Sequence, residues 1–330
     1  MDKKNALLTV LATIILGFTV YLADVSRVLS AIKSANKYYL FLSLLLGILI
    51  LFLRSKVWHS FFEKLNLGIS QSRSFKLFST GEFLNNVTPF GQAGGQPLMA
   101  YIISDNSDSK YEESLATVVS ADFMTGFPLL TFGLLSAIYF SLNGLESETV
   151  SQVAIFSVVA ITFTSGLVYT LWFKAGKIEA VILRVFERII PWDPWIQKID
   201  NALDNIQETF ETFGDDPRGL VKPGIYAHIS FITDISVLYI VLLSLGVSVN
   251  PLYLFLAFPI ANLSKSAPTS GGSGVYELTL ASILSVTLGI EFAVAVASAL
   301  LYRLTTYWVA IVVGYFFFSK LNHSSLEEKI

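Results

Sequence analysis

Residues 84–97 read Leu-Asn-Asn-Val-Thr-Pro-Phe-Gly-Gln-Ala-Gly-Gly-Gln-Pro, and residues 263–277 read Leu-Ser-Lys-Ser-Ala-Pro-Thr-Ser-Gly-Gly-Ser-Gly-Val-Tyr-Glu. Each breaks a long apolar region, 77–103 in the first case and 252–290 in the second, with prolines and glycines. Unpaired amides find no water in hydrocarbon, so irregular backbone is tolerated in a membrane only inside protein or against a wet cavity. Both regions are therefore expected to be broken, re-entrant helical hairpins rather than simple spans. Leu84–Pro89 aligns with Leu263–Pro268 at an offset of 179, and Gly95 meets Gly274 at the same offset.

The rest of the chain requires a membrane. Of 330 residues, 53% are hydrophobic and 14% are charged, against about 25% charged in soluble domains. A soluble globule of this size could not be covered with so few charges, and the 26 Phe, 14 Tyr and 5 Trp add to the excess. This excludes a soluble enzyme, a disordered chain and a disulfide scaffold. The absence of cysteine removes thiolate catalysis and cysteine metal sites. No basic array suggests nucleic acid.

A crossing helix needs about 20 apolar residues. Uncharged runs predict six full spans, at 5–23, 38–53, 114–140, 149–173, 223–247 and 292–319. With the N-terminus inside, the expected cytoplasmic segments hold 17 of the 22 Lys and Arg residues, which predicts that both termini are cytoplasmic. Each half then reads span, span, hairpin, span, and the two hairpins enter from opposite faces. The expectation is an all-α polytopic membrane protein built as an inverted-topology repeat, the plan of many transporters. It forms a single membrane domain over 1–330, with halves 1–140 and 149–319. A cytoplasmic insert, 174–222, carries an amphipathic helix near 195–213. That helix is expected to pack on the protein's own cytoplasmic face or to meet a protein partner.

The breaks carry the candidate binding residues. Helix starts are expected near Gly95-Gln96-Pro97 and near Gly274. Helix N-termini offer free N–H groups and partial positive charge, and glycine lets a ligand approach backbone closely. Glycine also serves close helix packing in membranes. Asn85, Asn86, Pro89, Gly94, Gly95, Gln96, Pro268, Gly271, Gly272 and Gly274 are thus candidate substrate-binding positions. An ionisable group at the bilayer centre costs about 2.5–3.5 kcal/mol or more and usually marks a pathway. Lys265 and Arg303 are candidate ligands for an anionic head group. Glu82, Asp122, Asp234 and Glu277 either couple protons or serve as counter-ions to those cations. The three histidines show no metal-ligand spacing, and no phosphate-loop, dinucleotide or nucleophile-elbow motif occurs. No cofactor is expected.

The strings GEFLNNVTPFGQAGGQPLMAYII (81–103) and APTSGGSGVYELTLASIL (267–284) resemble the two signature regions of the lysylphosphatidylglycerol synthase transmembrane region family. Asn85, Pro89, Gly94, Gly95, Pro97, Ala100 and Tyr101 fill the places of the first, and Pro268, Gly271, Gly272, Gly274 and Glu277 those of the second. At 121–123 the chain has Ala-Asp-Phe where many members carry a Glu-Arg…Asp pattern. The resemblance implies a flippase-like membrane protein of bacteria or archaea. In the two-part synthases of the family the membrane region moves an aminoacylated lipid, while a separate soluble domain makes it. The expected function is a transporter, not an enzyme, that moves a lipid or a lipid-linked, phosphate-bearing head group between leaflets of a prokaryotic plasma membrane. A secondary transporter of a small soluble anion, and a non-transporting interaction protein, are the alternatives.

Overall fold

A computed structural model describes residues 3–88, 92–107, 109–143 and 217–321, with scattered single positions between 155 and 166. The expected fourth span falls almost wholly outside the described residues, and the 195–213 helix does so entirely. Every regular element described is helical. In chain order these are α1 (Lys3–Leu22), α2 (Val25–Ser34), α3 (Lys37–Lys64), α4 (Gln71–Val87), α5 (Gln92–Asp105), α6 (Tyr111–Leu142), α7 (Val221–Ser244), α8 (Leu252–Leu263), α9 (Val275–Leu288), α10 (Phe292–Thr305) and α11 (Tyr307–Phe318). Among the described residues, four helical stretches are long and apolar enough to cross a membrane: α3, α6, Arg218–Ser244 and Phe292–Phe318. The α1–α2 pair makes a fifth if it is taken as one broken span.

Three boundaries differ from the sequence reading. The second span does not stop at Arg54; α3 runs 28 residues to Lys64, roughly 42 Å at about 1.5 Å per residue. Arg54 therefore lies inside the helix and not in the loop expected to be cytoplasmic. Residues 24–37 contain a helix rather than only a loop. Asp24 caps α2 by accepting from Ser26 N, and α2 turns 85° from α1. The last span is bent: Thr306, at φ −118° and ψ −67°, separates α10 from α11.

In both regions the helix is broken, and for the same local reason. Proline disfavours the helical region for the residue before it. Thr88, before Pro89, ends α4 at φ −87° and ψ 144°. Ala267, before Pro268, sits at φ −57° and ψ 146° in the second break. These two residues are 179 apart. The flanking helices are short, with 17 and 14 residues around the first break and 12 and 14 around the second. The arms of each pair pack on each other.

Helices α3 and α7 form the central pair. The first hairpin lays α4 against α11, and the second lays α8 against α6. Glycine permits these close crossings. A Cβ at Gly47 of α3 would strike the Thr305 carbonyl, and one at Gly314 of α11 would strike the Ser79 carbonyl of α4. Among the described residues two large apolar cores result, with a small third one around Ala137, Phe140 and Leu256. One, around Leu238, Leu254, Phe258, Leu280 and Val296, joins α7 to α10. The other, around Trp58, Phe62, Phe78, Met99 and Val118, joins α3 to α6 with α11.

Candidate functional site

The two breaks touch. Ser270 Oγ donates to the Val87 carbonyl at 3.4 Å, and Tyr307 OH donates to the Asn86 carbonyl at 3.2 Å. Beside them lies a cavity of about 650 Å³. Its wall includes Arg54, Glu82, Asn85, Asn86, Gln96, Asp122, Asp234, Asn262, Lys265, Gly271, Tyr302, Arg303 and Tyr307. Apolar side chains, among them Ile50, Leu129, Phe231 and Phe258, complete it.

Arg303 builds the second break. Its Nε donates to Glu277 Oε1 at 2.8 Å, and its Nη2 donates to the Gly271 carbonyl at 3.0 Å and to Ser273 Oγ at 3.1 Å. Its guanidinium also lies 3.7 Å from the centre of the Tyr307 ring. The other oxygen of Glu277 accepts from Gly274 N at 2.7 Å, capping the helix in whose first turn Glu277 lies. Two features fix the loop's composition. Gly272 and Gly274 have φ of 70° and 84°, and a Cβ at Gly274 would meet the Ala12 carbonyl of α1 at 2.7 Å. The N-terminus of α9 is thus covered by α1 and neutralised by the chain's own carboxylate.

A second buried pair holds the central helices. Arg54 Nη2 donates to Asp234 Oδ2 at 2.8 Å, and Tyr302 OH donates to Asp234 Oδ1 at 2.6 Å. The Arg54 side chain keeps 23% of its surface exposed on the cavity side, while that of Asp234 keeps 4%.

The remaining charges are less committed. Lys265 has no hydrogen bond or carboxylate partner among the described residues; its Nζ stands 5.0 Å over the Tyr276 ring. Glu82 likewise has no partner among them. Asp122 has only neutral ones. Gln96 Nε2 donates to Oδ2 at 2.9 Å, and Trp58 Nε1 donates to Oδ1 at 3.3 Å. Buried Asn85 Oδ1 has no hydrogen-bond partner among the described residues.

Nine of the sixteen residues singled out from sequence line the cavity: Glu82, Asn85, Asn86, Gln96, Asp122, Asp234, Lys265, Gly271 and Arg303. The others are placed differently. Helix α5 begins at Gln92, so Gly94 and Gly95 lie in its first turn and Pro97 lies inside it, not at its start. Gly95 is buried against Asn85, where a Cβ would collide with both side chain and backbone; it serves packing, not ligand approach. Gly272 packs on Lys265 backbone in the same way. Pro268 is exposed and off the cavity wall. Gly274 and Glu277 stand behind the wall, and Pro89 lies outside the described residues. Arg303 and Asp234 are structural partners of Glu277 and Arg54 before they are anything else.

Sequence reasoning missed Arg54, Tyr302, Tyr307 and Trp58. Hydropathy gives no signal for the tyrosines or the tryptophan, because they read as core. Arg54, followed by Ser55 and Lys56, reads as the polar end of an apolar run. One further cluster went unnoticed. His59 contacts Ser74 Oγ through Nδ1 at 3.0 Å and Glu63 Oε1 through Nε2 at 3.2 Å. It has the membership of a catalytic triad, but Ser74 is fully buried and bonded to the Ser70 carbonyl, so no substrate reaches it. Among the described residues no group of three His, Asp or Glu side chains is placed to hold a metal ion.

Comparison with known proteins agrees with the signature strings. The family described as the lysylphosphatidylglycerol synthase TM region matches residues 5–314, and the chain belongs to that family. It is 25% identical to a UPF0104 membrane protein of Pyrococcus horikoshii, covering 94% of this chain and 95% of that one. It is 23% identical to a UPF0104 membrane protein of Methanothermobacter thermautotrophicus, covering 95% and 94%. A more partial likeness, 24% identity over 48% of this chain and 25% of the other, links it to the glycosyltransferase AglD of Haloferax volcanii. No solved structure matches it.

Proposed function

We propose that this member of the lysylphosphatidylglycerol synthase TM region family moves a lipid, or a lipid-linked head group bearing phosphate, between membrane leaflets. The observation that carries the reading is Lys265. It is a cation without a carboxylate partner among the described residues, set on a broken hairpin, in the wall of a cavity between apolar helices. A charged head group crossing hydrocarbon unaided pays the penalty of a buried ion. Polar wall groups remove most of that cost, while the acyl tails remain in lipid. Lys265 takes the phosphate oxygens. Asn85, Asn86, Gln96 and Asn262 supply neutral hydrogen bonds around it.

An inverted repeat supplies the motion in this proposal. Three features support it. Thr88 and Ala267 share a backbone state at the repeat offset. The hairpin arms exchange partners, α4 with α11 and α8 with α6, as two halves related by a pseudo-two-fold would. Arg54 and Asp234, 180 residues apart, meet at the centre, where positions related by such an axis come together. On this plan both hairpins are re-entrant, both termini are cytoplasmic, and rocking of one half on the other exposes the cavity to each side in turn. The location that fits is the plasma membrane of a prokaryote.

The test is reconstitution of the full chain into vesicles carrying a head-group-labelled anionic phospholipid in one leaflet. Faster loss of leaflet asymmetry than in protein-free vesicles supports the reading. Equal rates across several phosphate-bearing lipid classes would overturn it.

A further inference from the structure

Three cations (Arg54, Lys265, Arg303) face four carboxylates (Glu82, Asp122, Asp234, Glu277) in and immediately behind the cavity wall. With all seven ionised, one negative charge is in excess. Two ion pairs cancel internally, which leaves Lys265 opposed by Glu82 and Asp122. An anion drawn to Lys265 therefore enters a compartment already negative, where like charges between low-dielectric walls repel more strongly than in bulk water. Adding one proton removes the excess.

The geometry points to Asp122 as the proton-loading site, so that an anionic head group enters the cavity together with a proton. This rests on the reading of Lys265 as the anion's partner. Asp122 is the carboxylate in the cavity whose hydrogen bonds survive protonation. Both of its partners are neutral, and the Gln96 amide presents either its N–H₂ or, after a half-turn, its carbonyl. Asp234 and Glu277 are each locked to an arginine, and protonating either would strand that arginine. Among the described residues Glu82 has no hydrogen-bond partner of either kind to hold a protonated carboxyl in place. The groups surrounding Asp122 are Arg54 and Trp58 of α3, Glu82 of α4 and Gln96 of α5, with Asp234 of α7 and Lys265 across the cavity. His228 of α7 is engaged elsewhere, by the Gly224 carbonyl and Thr131, and α8 brings no charged residue. One proton from the side to which the cavity is open goes onto the carboxylate, one negative charge comes in beside Lys265, and both leave on the other side.

Trp58 reports on the site directly, because its indole N–H faces Asp122. In phosphatidylcholine nanodiscs, the emission difference between the wild-type chain and Trp58→Phe is expected to show a step with pH. The step is expected to vanish in Asp122→Asn and to remain in Glu82→Gln. Linkage is reciprocal, so an anion that prefers the protonated site must raise the midpoint, by about one pH unit for a tenfold preference. Phosphatidylglycerol in the disc and inorganic phosphate in solution are separate arms; a shift with the first alone marks a lipid head group, and with the second a soluble anion. Surface potential also raises an apparent midpoint, so the shift must shrink in Lys265→Gln. A step that persists in Asp122→Asn, one lost in Glu82→Gln, or a midpoint that neither anion moves beyond the Lys265→Gln control overturns the inference. If step and shift hold while labelled lipid fails to cross vesicles, the proton site stands and the lipid-moving reading falls.

Discussion

Arg54 of α3 and Asp234 of α7 are joined at 2.8 Å across the middle of the molecule, 180 residues apart in a chain whose two breaks repeat at 179. Tyr302 adds a second bond to the same carboxylate. Removing one partner of a buried pair strands the other, at a cost of about 3–5 kcal/mol, whereas replacing both by apolar residues is often neutral. Asp234→Asn and Arg54→Ala are therefore each expected to lower the melting temperature sharply in detergent. Arg54→Met with Asp234→Leu is expected to recover most of the loss. Tyr302→Phe gives up one hydrogen bond to a charged group, about 1.5–3 kcal/mol.

Arg303 behaves as a clamp on the second break rather than as a free ligand, and this has a consequence for substitution. Lysine keeps the charge but cannot reach Glu277, the Gly271 carbonyl and Ser273 from one flat group. Arg303→Lys is expected to melt nearly as low as Arg303→Ala, and Glu277→Gln to sit between them and the wild type, because it still accepts from Gly274 N. Limited proteolysis or hydrogen exchange confined to 264–275 would show that the loosening is local. Equal stability of Arg303→Lys and the wild type would refute the clamp.

Gly95 and Gly17 make a matched contrast. A Cβ at Gly95 collides with Asn85 side chain and backbone, while at Gly17 of α1 no described residue lies within 4 Å. Overpacking typically costs about 1–3 kcal/mol. Gly95→Ala is expected to destabilise by at least that amount and to part α5 from α4; Gly17→Ala is expected to be neutral or stabilising. Thermal unfolding of the two variants in one detergent decides the matter.

These contrasts also show which parts of the molecule its sequence discloses. The breaks are legible because their causes are local: Pro89 and Pro268 act on the residue just before them, and glycine is needed where φ is positive. What a glycine is for was not legible. Gly95 and Gly274 align in sequence, yet one is packed inside a helical turn and the other caps a helix at φ 84°. The difference depends on Asn85 in one case and on α1 in the other. Charges posed the same difficulty. Arg54 reads as the end of an apolar run because its compensating carboxylate lies 180 residues away. The four acids looked alike until neighbours separated them into two arginine partners, one acid with neutral donors and one with no partner among the described residues. The α2 helix was legible in principle, since Asp24 precedes apolar Val25, Val28 and Ile32 at helical spacing.

Lys265 is the place where stability and transport are expected to pull apart. A buried ammonium costs the fold its desolvation, and among the described residues it has no carboxylate partner and gains only the attraction of the Tyr276 ring. Neutral Lys265→Met, of similar length, removes that cost, so its melting temperature is expected to equal or exceed the wild type's. The same change removes the charge that draws phosphate oxygens, so movement of a labelled anionic lipid in vesicles is expected to fall at least about tenfold, equivalent to ~1.4 kcal/mol of lost interaction. Lys265→Arg keeps a cation and is expected to retain part of the rate. A residue kept only for the fold would show the reverse order, with Lys265→Met destabilised and transport following stability. Measuring both quantities on the same three proteins separates a binding cation from a structural one.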